Sequence, residues 1–197
     1  MIARADRQMN LLEVRPEFNI SSNAHARNAY GQVAQEIACA ALGLLPIRID
    51  GSCAVCFDAE KDETFYEIKS VHRHGKLVLY DWRMEKEAMA QVPVKYAAVV
   101  HSVRGARTND DLWDGMARSL EILLLWFTSV QIEALKYPLR RIMFTGKEKR
   151  TGYNREGYRD GYRNVGLSKF REMATLESIK DFQLYGRDFS VVIREQP

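Results

Sequence analysis

Two carboxylates and one ammonium stand out for the chemistry they could perform together: Asp58, and Glu67 and Lys69 in the run Glu67-Ile68-Lys69. Glu67 and Lys69 are two residues apart, so on a regular strand they project from the same face. A hairpin with its turn at Asp62-Glu63 brings Asp58 beside them on the neighbouring strand. Carboxylate oxygens at close range suit a hard cation such as Mg²⁺, which binds through one or two carboxylates and keeps several waters. Such a cation lowers the pKa of a bound water, polarises a phosphate oxygen and stabilises the leaving oxygen. Lys69 would position the attacking water and offset charge on the phosphate. The competing explanation is a surface hairpin with exposed ion pairs, each contributing little.

The elements that must position these groups follow from periodicity. Ala26 to Leu45 is an Ala-rich helix, with Val33, Ile37, Ala41 and Leu44 at helical spacing. Gly43 suits its end, and Pro46 cannot continue it. Short strands are expected at Ile47 to Asp50 and Cys53 to Asp58, with a bend at Gly51-Ser52. Thr64 to Val71 alternates with a period of two, and His74-Gly75 turns the chain into Lys76 to Tyr80. Arg83 to Gln91 reads as a helix followed by Pro93, and Lys95 to Val103 as a strand buried on both faces, with His101 near its end. Asp110 or Asp111 is expected to cap a helix running to about Tyr137, ended by Pro138, with Trp113, Met116, Leu120, Leu123, Leu124 and Phe127 on its apolar side. Beyond it come a strand over Arg141 to Thr145, a short helix from Ser168 to Leu176, and a closing strand over Phe189 to Arg194. The fold class is α/β, a mixed central sheet flanked by helices.

Asp58, an eight-residue gap and then Glu67-Ile68-Lys69-Ser70 resembles the signature of the PD-(D/E)xK nuclease superfamily, which includes type II restriction endonucleases and Holliday-junction resolvases. The resemblance implies a restriction-endonuclease-like core, Mg²⁺-dependent hydrolysis of DNA with Mn²⁺ as a substitute, and 5′-phosphate products. By position it makes Asp58 and Glu67 metal ligands, the Ile68 carbonyl a further ligand, and Lys69 the catalytic lysine. Members often place a glutamate on the preceding helix, and Glu36 is the candidate. Phe57 stands where the pattern has Pro, a position that varies within the superfamily. The motif covers about 13 residues, or about 40 with the helix.

Two further patterns carry chemistry. Cys53-x-x-Cys56 followed by His72-x-His74 resembles zinc-ligand spacing. A regular strand would throw the two cysteines onto opposite faces, and buried small cysteines are the blander reading. His72 and His74 lie just beyond Lys69, placed to contact DNA phosphate or to sit at a strand end. Residues 146–169 repeat Gly-Tyr at 152, 157 and 161 with arginines between. Lys149, Arg150, Tyr153, Arg155, Tyr158, Arg159, Tyr162 and Arg163 are the expected nucleic-acid contacts, arginine on phosphate or guanine and tyrosine on bases or backbone. Arg104 and Arg107 form a smaller basic patch.

Length and composition bound these readings. The chain has 197 residues, 46% hydrophobic and 28% charged, which fits a single domain with a substantial core and excludes a disordered chain. Within it, 25–104 would be the catalytic core and 146–169 the DNA-contacting loop. Twenty-nine basic against 26 acidic residues give only +3, too little for a bulk polycation. Three cysteines argue against a secreted disulfide framework, and the polar start against a signal peptide. The longest apolar run, Ile122 to Val130, is about half a membrane span, so no membrane partner is expected. The expectation is a cytoplasmic enzyme of prokaryotic or phage type acting on double-stranded DNA as a homodimer. Its most apolar helix serves either the core or the dimer interface. The alternatives are a structure-selective resolvase, a non-catalytic nucleic-acid-binding protein on a nuclease-like fold, and a small zinc-binding DNA module.

Overall fold

The computed structural model describes residues 14–47, 57–81, 84, 88, 91–118, 120–141 and 161–197. Its first helix, α1, spans Asn23–Leu42. The Ser22 side chain accepts the His25 N–H at its start, and Gly43 ends it in the left-handed conformation, φ 66°. That is the backbone freedom glycine supplies at a helix C-terminus. Ala29, Val33, Ala34, Ile37, Ala38 and Ala41 line its buried side. The four alanines among them let the helix lie close against the sheet.

The strands that follow are β1 (Leu45–Pro46), β2 (Ala59–Lys61), β3 (Thr64–His72), β4 (Lys76–Tyr80) and β5 (Val94–His101). Then come helix α2 (Asn109–Ala117), β6 (Leu120–Trp126), α3 (Phe127–Leu135), β7 (Arg140–Arg141), β8 (Gly161–Gly166), α4 (Leu167–Met173), β9 (Leu176–Leu184) and β10 (Arg187–Glu195). Seven strands form one mixed sheet in the order β1-β2-β3-β5-β6-β10-β9, and a second sheet has the order β4-β8-β7. In the large sheet β3 runs parallel to β5 and β6 parallel to β10, whereas β5 and β6 are antiparallel. The α/β class expected from the sequence is therefore present.

Each face of the large sheet carries its own core. On one, α1 and α2 cover Tyr66, Ile68, Ala97, Val99, Ile122 and Leu124. On the other, the small sheet with α3 and α4 covers Val71, Tyr96, Ala98, Val100, Leu123 and Leu125. Alternate residues of β3, β5 and β6 thus serve opposite cores.

The expected helix from Asp111 to about Tyr137 is corrected by this arrangement. It is two helices, α2 and α3, with the strand β6 between them. Being central, β6 is buried on both faces, and a continuous apolar run cannot be told from a buried helix by periodicity alone. Leu123 and Leu125 are fully buried inside the protein, so the apolar run is core. The last third is corrected too. Helix α4 starts at Leu167 after Gly166, without a side-chain cap at Ser168, and ends at Met173. Strand β9, absent from the sequence reading, begins at Leu176; its exposed residues leave little apolar alternation to read. The helix expected over Arg83 to Gln91 and the strands over Ile47 to Asp50 and Cys53 to Asp58 lie largely outside the described residues, as do 142–145. Among the described residues, no helix is long and apolar enough to cross a membrane.

Candidate active site

Strands β2 and β3 are joined by Asp62-Glu63, both left-handed with φ 47° and 63°. Two consecutive positive φ values match the right-handed twist of the flanking strands, as a tight hairpin needs. The register pairs Ala59 with Tyr66, Glu60 with Phe65 and Lys61 with Thr64. Asp58 does not continue this register, because its N–H turns to the carbonyl of Tyr66, the residue already opposite Ala59.

Strand β2 begins only at Ala59, and Asp58 takes over where its ladder stops. Asp58 Oδ2 accepts the Ile68 N–H at 2.7 Å, while the Asp58 N–H donates to the Tyr66 carbonyl at 2.9 Å. The Asp58 carbonyl accepts Ile47 N–H at 3.0 Å and Gln35 Nε2 at 3.1 Å. The half-buried Asp58 is thereby held by the sheet through its carboxylate and backbone, and by the helix through its backbone carbonyl.

Glu67 is 0% exposed and forms an ion pair with Lys69, two residues along the same strand face. Lys69 retains partial access to solvent, its side chain being 26% exposed. A carboxylate taken this far from water persists only with a counter-charge and hydrogen bonds. Glu36, on α1, accepts the Tyr185 hydroxyl at Oε2, 2.9 Å. Cys39, three residues beyond Glu36 on α1, has its thiol pushed up to about 12 by burial and by the negative charges of Glu36 and Asp58. Glu36 and Asp58 therefore act on one neighbourhood from helix and sheet, while Glu36 is tied toward the turn between β9 and β10.

Of the motif residues, Lys69 neutralises Glu67, and Asp58 reaches the same strand through the Ile68 N–H. As a donor set, two hard carboxylates fit a cation that keeps several waters. Among the described residues no three His, Cys, Asp or Glu side chains converge as a metal-holding group. Glu36 does not complete a triad. Cys53 and Cys56, the expected zinc pair, lie outside the described residues.

The expected nucleic-acid contacts divide. Lys149, Arg150, Tyr153, Arg155, Tyr158 and Arg159 lie outside the described residues. The segment 161–169 belongs to β8 and the first turn of α4 rather than to a loop. Tyr162 sits opposite Tyr80, their ring centres 6.4 Å apart. Arg163 is spent internally, donating to the Tyr137 carbonyl at 2.5 Å and pairing with Asp81 at 3.4 Å.

His72 and His74 end up at a tight turn, their rings 5.6 Å apart. The parallel register of β3 and β5 sets His72 beside His101. Val103 N–H donates to His101 Nδ1 at 3.2 Å. That leaves the imidazole proton on Nε2, which donates to Ser70 Oγ at 3.0 Å. Ser70 is therefore not a hydroxyl deprotonated by His101. His101 is 3% exposed, and its pKa falls to about 4 through burial and the neighbouring His72. The sequence marks His72 and His74 as candidates, but not that His101, Ser70 and Tyr30 gather beside His72. Compared with known protein families, curated proteins and solved structures, the chain matches none.

Proposed function

We propose that the chain is a metal-dependent endonuclease, hydrolysing DNA phosphodiester bonds to leave 5′-phosphates, of the type II restriction class. The reading takes the mixed α/β fold as restriction-endonuclease-like. One observation supports it above the others: Lys69 pairs with Glu67 on one face of β3, and Asp58, at the start of the same hairpin, accepts the Ile68 N–H between them through its carboxylate. Asp58 and Glu67 would hold Mg²⁺ or Mn²⁺, with the Ile68 carbonyl as a further ligand. The cation would supply a water of lowered pKa and charge stabilisation at the phosphate. Lys69 would orient the attacking water, and Glu36 would add negative charge from the helix side. The water oxygen bonds to phosphorus, the P–O3′ bond breaks, and the leaving oxygen takes up a proton as the 3′-hydroxyl. A homodimer in the cytoplasm, cutting both strands of a duplex, belongs to the same proposal.

The test is incubation of the purified protein with plasmid and phage DNA in Mg²⁺ or EDTA, beside Asp58→Asn and Lys69→Ala. Discrete, metal-dependent bands that vanish in both variants are expected. Intact plasmid, phage DNA, four-way junctions and single strands in every metal would overturn the reading.

One observation favours a second reading, a non-catalytic nucleic-acid-binding protein. Glu67 is wholly buried against Lys69, which leaves its carboxylate no contact with water. Such a protein would bind DNA equally well in EDTA and cut none.

A further inference from the structure

Beyond the carboxyl ends of β3 and β5 lie two cavities of about 440 and 460 Å³. They share Val103 and Arg104 as lining residues, so they adjoin. Arg27 of α1 lines the first; Arg107 and Arg118 line the second. All four guanidiniums belong to exposed residues. Elsewhere arginines are matched to carboxylates: Arg171 to Glu121 at 2.5 Å, Arg187 to Asp110 and Asp114 at 2.8 and 2.9 Å, Arg194 to Glu121 and Glu177 at 3.0 and 2.6 Å. Among the described residues, none of the four cleft arginines has an ion pair.

Among the described residues, the single carboxylate lining the cleft, Asp111, does not fill that role. Its Oδ2 accepts the backbone N–H of Arg107 at 3.2 Å and of Thr108 at 3.1 Å, capping α2. Arg104 Nε instead lies 3.2 Å from His72 Nε2. His72 is held below the usual histidine range by partial burial and by the positive charges of Arg104, His74 and Arg73. Cations gathered this way repel one another, and a fold keeps them together where an external anion joins them. One small anion would need one such guanidinium pair. Four in two adjoining cavities, with the Tyr30 and His72 rings lining one of them, match a partner with repeated negative charges and flat groups between them.

We propose that this cleft is the track for the phosphodiester backbone of a nucleic-acid strand. It shares a polyanionic partner with the cleavage reading but none of its residues. Glu67 and Lys69 project from one face of β3, Ser70 and His72 from the other.

The experiment is titration of the intact protein with fluorescein-labelled duplex and single-stranded DNA in EDTA at several salt concentrations. The double variant Arg104→Ala/Arg107→Ala is compared with Arg104→Lys/Arg107→Lys and with Arg171→Ala, whose guanidinium is matched to Glu121. The alanine pair should weaken binding at least about tenfold and flatten the slope of log K against log salt by about 2. The lysine pair should recover most of that loss, and Arg171→Ala should bind as the parent does. Unchanged affinity and slope in the alanine pair would overturn the track, and so would inorganic phosphate binding without measurable affinity for either DNA. Cleavage that survives while the track fails, or a track that holds in a protein cutting nothing, tells the two readings apart.

Discussion

The two faces of β3 handle charge in opposite ways. On one, Glu67 is sealed from water and its charge is cancelled by Lys69. At the end of the other, His72 and His101 border solvent-exposed arginines that have no ion pair among the described residues. Nine residues of one strand, Thr64–His72, thus carry a closed ion pair and one wall of an open basic cleft. The difference teaches that a charged motif and a binding surface need not coincide. The residues easiest to recognise are the most enclosed, and those best placed to meet a large anion are scattered over α1, β3, β5 and α2.

The sharpest way to break the contrast is to remove the counter-charge inside. Lys69→Ala leaves the Glu67 carboxylate buried without its ammonium and should destabilise the fold by about 3 kcal/mol in urea titration. Glu67→Gln combined with Lys69→Met should recover most of that loss, because no charge is then buried at this position. Equal losses in the single and double variants would mean that the pair is not the reason Glu67 tolerates burial.

Acid tests the other face. Buried His101 has its folded pKa lowered from 6.5 to about 4. Between those values the unfolded chain binds the extra proton, so stability rises with pH up to about 6.5 and is lost as pH falls toward 4. The loss should reach roughly 3 kcal/mol, from about 1.4 kcal/mol per pH unit of separation. His101→Gln should flatten this part of the pH–stability curve. A midpoint in the parent that does not change between pH 7 and 5 would contradict the buried, neutral imidazole.

The smallest effect lies in the hairpin turn. Glu63 holds φ 63° without being glycine. Glu63→Gly should stabilise the fold by about 0.5–1 kcal/mol, and it would do so without altering DNA affinity at the cleft. A loss of stability would show that the Glu63 side chain contributes more than its backbone strain costs.

The hairpin, its Asp62-Glu63 turn, β4, β5 and the Gly43 terminus of α1 were all legible, because period, turn residues and glycine placement agree there. Helix and strand could not be separated over Leu120–Trp126, since a strand buried on both faces has no polar side to reveal its period. Strand β9 failed for the opposite reason: six exposed residues in a row, 176–181, hide any apolar alternation. Of the candidate site, Asp58, Glu67 and Lys69 were legible from spacing along one hairpin. Arg27, Ser70, His101 and Arg118 were not, because only the parallel pairing of β3 with β5 and the packing of α1 and α2 gather residues so far apart in sequence.

Strand β9 ends the large sheet, and no strand pairs with its outer edge among the described residues. Along its nine residues the alternate ones turn open backbone donors and acceptors outward, a template on which another chain could be added. Glu177, Lys180 and Asp181 stand along that edge. A second copy laid antiparallel about its midpoint would set Lys180 against Lys180, so growth of one sheet onto the next meets repulsion at its centre. The polar character that made β9 unreadable is also what guards the sheet against self-templated aggregation.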